Sequence, residues 1–280
     1  MFISSTFLIF LCSITIIKTD RTIRRLPYKL DGDITALVGD SIISYELTRI
    51  DTSGPMSTLE IETEQWVHDC CLIITSQSEL RIRLKAENNY PKITAYLRLR
   101  TSLSSIVMSG TAMITTTNSI QSDSLLLKVS GASKAQLQVE ITSKLNVILS
   151  GAAQITMTGN VRGAGCILLS GAGKFDGRAC PMNTVIVDVS GAGTAYVIGE
   201  QAVDVAVRGA GHVYYQGPLR SQRVSGAGSI NGHGSIDGLG SINSLFSSIG
   251  EIFNSSTTTM KISINFYIIC FFFYVFKFFF

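Results

Sequence analysis

The sequence predicts an all-β chain folded as a parallel β-solenoid, β-helix-like, with coils of about 20 residues and a Gly-Ala corner in each. Two observations carry the prediction. First, a short corner motif recurs. It begins as IVMSGTA at Ile106, LKVSGAS at Leu127, VILSGAA at Val147, ILLSGAG at Ile167, VDVSGAG at Val187, VAVRGAG at Val205 and QRVSGAG at Gln222. The successive spacings are 21, 20, 20, 20, 18 and 17 residues, a period that marks a stack of similar units. Second, apolar residues between corners fall on alternate positions, as in Ala135, Leu137, Val139 and Ile141, or Val203, Val205 and Val207. Period two means strands with one buried face, and helical solenoids need units of ~33 residues or more.

The corner follows from stacking. Equivalent residues on neighbouring coils lie about 4.8 Å apart, so the corner must repeat its shape at every level. Gly131, Gly151, Gly171, Gly191, Gly209 and Gly226 are the expected structural corners, where φ > 0 and close backbone approach are required. Ala132, Ala152, Ala172, Ala192, Ala210 and Ala227 are expected to form a ladder too narrow for a larger side chain. Ser130, Ser150, Ser170, Ser190 and Ser225 are expected to line up as a hydroxyl ladder. The apolar residues before each corner form the core, each contributing about 1.5–3 kcal/mol when fully buried. No G-x-S-x-G elbow is present and no His recurs beside these serines, so they are not read as nucleophiles.

Upstream, LEIE, LIIT, LRIRLKA and KITAYLRLR also alternate and lack the glycine corner. Their coils or hairpins are therefore longer. With no linker to separate them from the repeats, one domain is expected over 27–245, with regular repeats over 106–230. Near its end GSINGH, GSIDGL and GSINSL recur every six residues, as capping turns that pass into a polar stalk over 246–261.

Both ends are apolar. Phe2 to Ile17 is short for a spanning helix and reads as part of a signal peptide over 1–19, with an uncleaved anchor as the other reading. At the other end, small residues Asn254, Ser255 and Ser256 are followed by a polar spacer and an apolar tail over 262–280. That order matches a glycolipid (GPI) attachment signal, with these three residues as candidates for lipid attachment. A terminal spanning helix is the alternative, with Lys277 snorkelling to the surface. Asn254 also opens the sequon Asn254-Ser255-Ser256, which makes it the glycosylation candidate. The expected location is the extracellular face of the plasma membrane, reached by the secretory pathway.

The formal charge of +3 over 280 residues excludes a charge-driven nucleic-acid binder. Outside the apolar ends, Cys70, Cys71, Cys166 and Cys180 allow three disulfide pairings. Adjacent cysteines rarely bridge to each other, so Cys70 and Cys71 are expected to look elsewhere, and Cys166 and Cys180 are placed to clip a loop. All four also suit small buried positions.

The ligand-type residues make weak patterns. His68-Asp69-Cys70-Cys71 is the densest group, and no second cluster completes a zinc set. His212 and His233 are isolated. Asn231, Asp237 and Asn243 recur every six residues with too few carboxylates for calcium. Asp176, Asp188 and Asp204 fall at different repeat positions, so no acid pair for glycan cleavage is visible. Tyr196, Tyr214 and Tyr215 suit either a carbohydrate-stacking patch or packing at the core and edge. No catalytic, cofactor-binding or metal-binding residue is assigned, and no cofactor is expected.

The repeats resemble the "putative auto-transporter adhesin, head GIN domain" family. Members carry VSGSGD-type corners on coils of about this length, which appear here as SGAG. The segment HVYYQGPLRSQRVSGAGSI, His212 to Ile230, is similar to the family's closing YYGNP…SGSGS pattern through Tyr214, Tyr215, Gly217 and Pro218. KITAYLRLRTSLSSIVMSGTAMI resembles the strand that leads into its first repeat. The resemblance covers about Lys92 to Ile230. Two departures stand out. Alanine replaces the second serine, and the aspartate after the corner is missing, with Lys134, Gln154, Lys174, Thr194 and His212 at or beside that place. The family is known mostly from bacterial surface proteins and has no established catalytic site, and the lipid-signal-like tail is not typical of it and suggests a eukaryotic cell surface. The expected function is therefore a secreted, surface-attached, adhesin-like binding protein without catalytic activity. Its partners would be a cell-surface protein or glycan, and the membrane through the C-terminal anchor. A polysaccharide-acting β-helix enzyme and a structural surface spacer are the alternatives.

Overall fold

The computed structural model describes residues 21–233, apart from 40, 41, 54 and 86–88. Two compact units divide the chain, Met1–Gly238 and Leu239–Phe280. The second unit lies outside the described residues, as do the expected signal peptide, the stalk, the tail and Asn254, Ser255 and Ser256.

Alternation makes the coil. In β11 (Lys134–Gly151), Ala135, Leu137, Val139 and Ile141 point inward while Lys134, Gln136, Gln138 and Glu140 face solvent. The alternation breaks at Thr142 and Ser143, then resumes with Leu145, Val147 and Leu149 buried. Those extra residues bend the strand, so each coil has a first arm before the bend and a second arm after it, closed by the corner. β11 pairs in parallel with β12 (Gln154–Gly171), from Lys134 opposite Gln154 to Gly151 opposite Gly171. The same winding continues through β13 (Lys174–Ala179), β14 (Met182–Gly191), β15 (Thr194–Gly209), β16 (His212–Gln216), β17 (Leu219–Ser225) and β18 (Ser229–His233). The result is one sheet wound into a parallel β-solenoid of about six turns.

Stacked rows fill the interior. In the second arm one row runs Ile106, Leu127, Val147, Ile167, Val187 and Val205, and its neighbour runs Met108, Val129, Leu149, Leu169, Val189 and Val207. In the first arm the row runs Ile114, Ala135, Ile155, Phe175, Ala195 and Val213, with small alanines beside the larger residues. Phe175 is fully buried, and Gly177 leaves it room: a Cβ there would lie 2.8 Å from the Phe175 ring. Burial of aliphatic rows at about 1.5–3 kcal/mol per side chain is the main stabilising term.

The corners show why glycine recurs. Gly131 and Gly151 have φ of 73°, and Gly171, Gly191, Gly209 and Gly226 have φ of 101°, 141°, 121° and 116°. From Gly131 through Gly209, the following amide bonds to the glycine one coil below. Ala152 N donates to Gly131 O at 2.8 Å, and Ala172 N to Gly151 O and Ala192 N to Gly171 O at 2.9 Å. The approach leaves no space for a side chain, since a Cβ on Gly171 would sit 2.6 Å from Gly151 O. Positive φ and close contact exclude other residues independently.

The alanines, however, are exposed rather than packed in a narrow ladder. The left-handed turn at glycine points the next residue outward and the one after it inward. The confined row is therefore Ala112, Ser133, Ala153, Gly173, Gly193 and Gly211. Ser133 is fully buried there and donates its hydroxyl to Gly110 O at 3.2 Å. The corner serines bond to backbone rather than to one another: Ser130 and Ser170 donate to Met108 O and Leu149 O at 3.2 Å, and Ser190 to Leu169 O at 3.3 Å.

Before the repeats, β2 (Ala36–Gly39) and β3 (Ser44–Arg49) form a coil of their own. They stack in parallel on β8 (Ser105–Met108) and β9 (Met113–Thr116), which lead into β10 (Ile120–Val129). The intervening residues 50–104 build an end cap. β6 (Glu79–Leu84) and β7 (Thr94–Leu99) extend β2 and β3 in parallel. Antiparallel strands then end the winding: β4 (Thr58–Glu64) on β7, β1 (Ile23–Tyr28) on β4 and β5 (Leu72–Ser76) on β6. The short helix α1 (Gln65–Cys70) tucks Trp66 and Val67 into the cap.

Cys70 and Cys71 are joined to each other by a disulfide, and Cys166 and Cys180 are free. This corrects the expected pairing. α1 ends at Cys70, and the chain turns at Cys71 into β5, which brings the neighbouring sulfurs together.

Candidate functional site

The cap cluster around His68 is occupied by its own contacts. Its Nδ1 shares a 2.7 Å hydrogen bond with Tyr28 Oη, and its Nε2 lies 3.1 Å from Arg24 O. Asp69 accepts from Gln65 Nε2 at 2.7 Å, and both thiols are in the disulfide. Burial, with the Asp69 charge adding to it, raises the Tyr28 phenol above its usual range. Among the described residues no three His, Cys, Asp or Glu side chains are arranged to hold a metal. Asn231 donates to Ser229 Oγ at 3.1 Å, while Asp237 and Asn243 lie outside the described residues, as does the His233 side chain.

The repeat aspartates are each paired with arginine. Arg178 Nε donates to Asp176 Oδ1 at 2.9 Å, Arg208 pairs with Asp188, and Arg220 and Ser221 donate to Asp204. Hydrogen bonds from Arg178 hold the Asp176 carboxyl below the usual carboxylate range. Burial pushes Asp204 upward, but the bonds and charge of Arg220 and the bond of Ser221 outweigh it and leave it low. Carboxylates held ionised in this way are poor general acids.

Tyr196 and Tyr214 face outward on neighbouring first arms and stack, with centroids 4.8 Å apart and planes 10° apart. Arg178 Cζ lies 4.7 Å from the Tyr196 centroid, completing a sandwich. Tyr196 is thus flanked by Arg178 and Tyr214, while Tyr214 is exposed at the end of the stack. Tyr215 points to the inner side and packs against the core, which raises its phenol pKa by burial. His212 Nδ1 shares a 2.8 Å hydrogen bond with Ser229 Oγ.

The bend between the arms forms a second surface. There an open polar groove of about 530 Å³ crosses several coils. Arg49, at the end of β3, lines one part of it. Gln121, Glu140 and Asn160 line it from paired positions on β10, β11 and β12. Asp123, Thr142 and Arg162 line it from the bend itself. Asp123 Oδ1 accepts from Thr142 Oγ1 at 2.7 Å and Ser143 Oγ at 2.6 Å, which lowers the Asp123 carboxyl pKa. Gln121 Nε2 donates to Glu140 Oε2 at 3.0 Å. The Nε of Arg49 is buried with no hydrogen-bond partner. Sequence reasoning did not single out these residues. The break in alternation at Thr142 and Ser143 was the signal that marked their place.

Winding, corners and outward side-chain rows define the class of this molecule: a parallel β-solenoid. The chain belongs to the family described as "Putative auto-transporter adhesin, head GIN domain", which matches residues 44–218. Among solved structures it is similar to a "putative adhesin" from Bacteroides fragilis, at 19% identity over 76% of this chain and 98% of that one, with a TM-score of 0.69. A "putative lipid binding protein" from Parabacteroides distasonis is similar at 15% identity, over 76% and 97% of the two chains, with a TM-score of 0.61. A "putative adhesin" from Parabacteroides merdae follows at 18% identity, 76% and 96% coverage and a TM-score of 0.56. At these identities the likeness is one of fold. The search of curated proteins gave no match.

Proposed function

We propose that this chain is a secreted, surface-attached binding protein of the adhesin type, without catalytic activity, whose partner is a cell-surface protein or glycan. Membership of the adhesin family supports a place at the cell surface. The observation that carries the binding reading is the stack itself. Parallel coils hold outward side chains in rows of fixed spacing, and backbone bonds at successive corners fix one coil on the next. Such a scaffold presents a preformed surface and loses little entropy on binding. The arginine-paired aspartates favour recognition over hydrolysis. Attachment is to the extracellular face of the plasma membrane, through a lipid joined at Asn254, Ser255 or Ser256, after export by a signal peptide over 1–19.

Purified protein incubated with a glycan panel and with intact cells tests the binding reading. Saturable binding without product formation supports it, and catalytic turnover of any glycan overturns it. Phospholipase treatment of expressing cells tests the anchor. Release of protein lacking the Phe-rich tail supports the lipid, and retention with the tail detected by mass spectrometry leaves a spanning helix as the better account.

A further inference from the structure

We infer that the polar groove along the bend, lined by Arg49, Gln121, Asp123, Glu140, Asn160 and Arg162, is a binding site for a neutral oligosaccharide lying along the solenoid axis. The inference rests on the binding reading above and adds a site and a ligand class to it.

The groove wall carries opposite charges side by side. Arg49 and Arg162 supply N–H donors, and Asp123 and Glu140 supply acceptor oxygens. A phosphate chain would meet Asp123 and Glu140, and a polyamine would meet Arg49 and Arg162, so a ligand charged in one sense is repelled by part of the wall. Hydroxyl groups donate and accept at once and match both kinds of partner. The two amides, Gln121 and Asn160, have the same double capacity.

Spacing points to a repeating ligand. Gln121, Glu140 and Asn160 occupy paired positions on three successive strands, so they rise by about 4.8 Å per step. That step is close to the length of one sugar ring, and a saccharide chain along the axis would meet a polar side chain at each level. The wall is also partly preformed. Thr142 and Ser143 fix Asp123, and Gln121 braces Glu140.

The test uses the protein purified from expressing cells, on an array of neutral hexose and N-acetylhexosamine oligosaccharides, uronate oligosaccharides and peptides. The expected result is saturable binding of a neutral oligosaccharide that strengthens with chain length up to a few sugars. Arg162→Ala and Glu140→Ala are expected to weaken it at least about tenfold. Their melting temperatures should stay near that of the parent, because the Arg162 side chain is exposed and Glu140 faces solvent. Lys134→Ala, on the outer face of the first arm, should bind as the parent does. Preference for uronates or peptides over neutral sugars overturns the inference, as does neutral-sugar binding that survives both groove substitutions. Cell binding that persists while the array stays blank overturns the groove assignment and leaves the adhesin reading standing. Failure of both assays overturns both.

Discussion

The end cap, built by β1 and residues 50–104, and the repeats over 105–233 share one sheet and are held by different means. In the repeats, identical corners carry the order. A glycine at positive φ, an amide bonded to the coil below and a confined third position recur at each level. In the cap nothing recurs. Antiparallel strands and a short helix close the stack, and large side chains fill the end: Trp66 stacks on Tyr90 at 5.8 Å and donates Nε1–H to Glu64 at 2.6 Å. A repeat spends its sequence on one shape made many times. The cap spends it on stopping that shape, which protects the strand edge from adding another chain.

The strongest way to break this comparison is at a corner. Gly171→Val should destabilise the protein by several kcal/mol, read as a drop in melting temperature. Positive φ alone costs a β-branched residue ~1–3 kcal/mol, and the added Cβ would meet Gly151 O at 2.6 Å. An unchanged melting temperature would refute the steric account of the corners. In the cap, Trp66→Ala should cost about 3 kcal/mol by loss of buried aromatic area. Hydrogen exchange should localise that loss to the cap, with corner amides such as Ala172 keeping their protection.

Two cysteine tests sharpen the contrast. Burial pushes the Cys180 thiol up to about 12 from 9.0. A raised folded pKa means the stability from keeping it protonated is complete below pH 9.0 and is lost as pH rises toward about 12. Cys180 should therefore resist alkylation near neutral pH until the protein unfolds, while the partly exposed Cys166 reacts first, as peptide mapping will show. The smallest effect is expected from replacing Cys70 and Cys71 together by serine. A bridge between neighbours closes almost no loop, so the entropic gain that disulfides give through the unfolded state is minimal, and the melting temperature should move by the equivalent of less than about 1 kcal/mol.

The repeats were legible because stacking forces like residues onto like positions. The seven corners and the alternating core are written in the chain at nearly constant spacing. What the spacing does not reveal is direction. Gly-Ala-Gly is compatible with either small residue facing in, and only the turn at glycine decides that Ala172 points out and Gly173 in. The coil formed by β2 and β3 was hidden for another reason. It stacks on β8 and β9 across residues 50–104, and its corner lacks the Ser-Gly pair. The groove was least legible. Its residues share a place on the bend without sharing a type, as Asp123, Thr142 and Arg162 show, so no repeat draws attention to them. The disulfide ran against the preference of neighbouring cysteines, and the helix end that permits it is too short to read from sequence.

The corner bonds carry one more consequence, for how such a chain can change in length. Each coil takes its bonds from the level below and offers the same set to the level above, as Ala172 to Gly151 and Ala192 to Gly171 do. A deletion from Gln154 through Gly173 would bring Lys174 onto the level that follows Ala153 with every row still aligned. Losing half as many residues would keep the in-and-out alternation but leave a corner facing a strand. Growth and shrinkage in this architecture are therefore counted in whole turns, and a lineage that lengthens its reach does so by duplication rather than by gradual insertion.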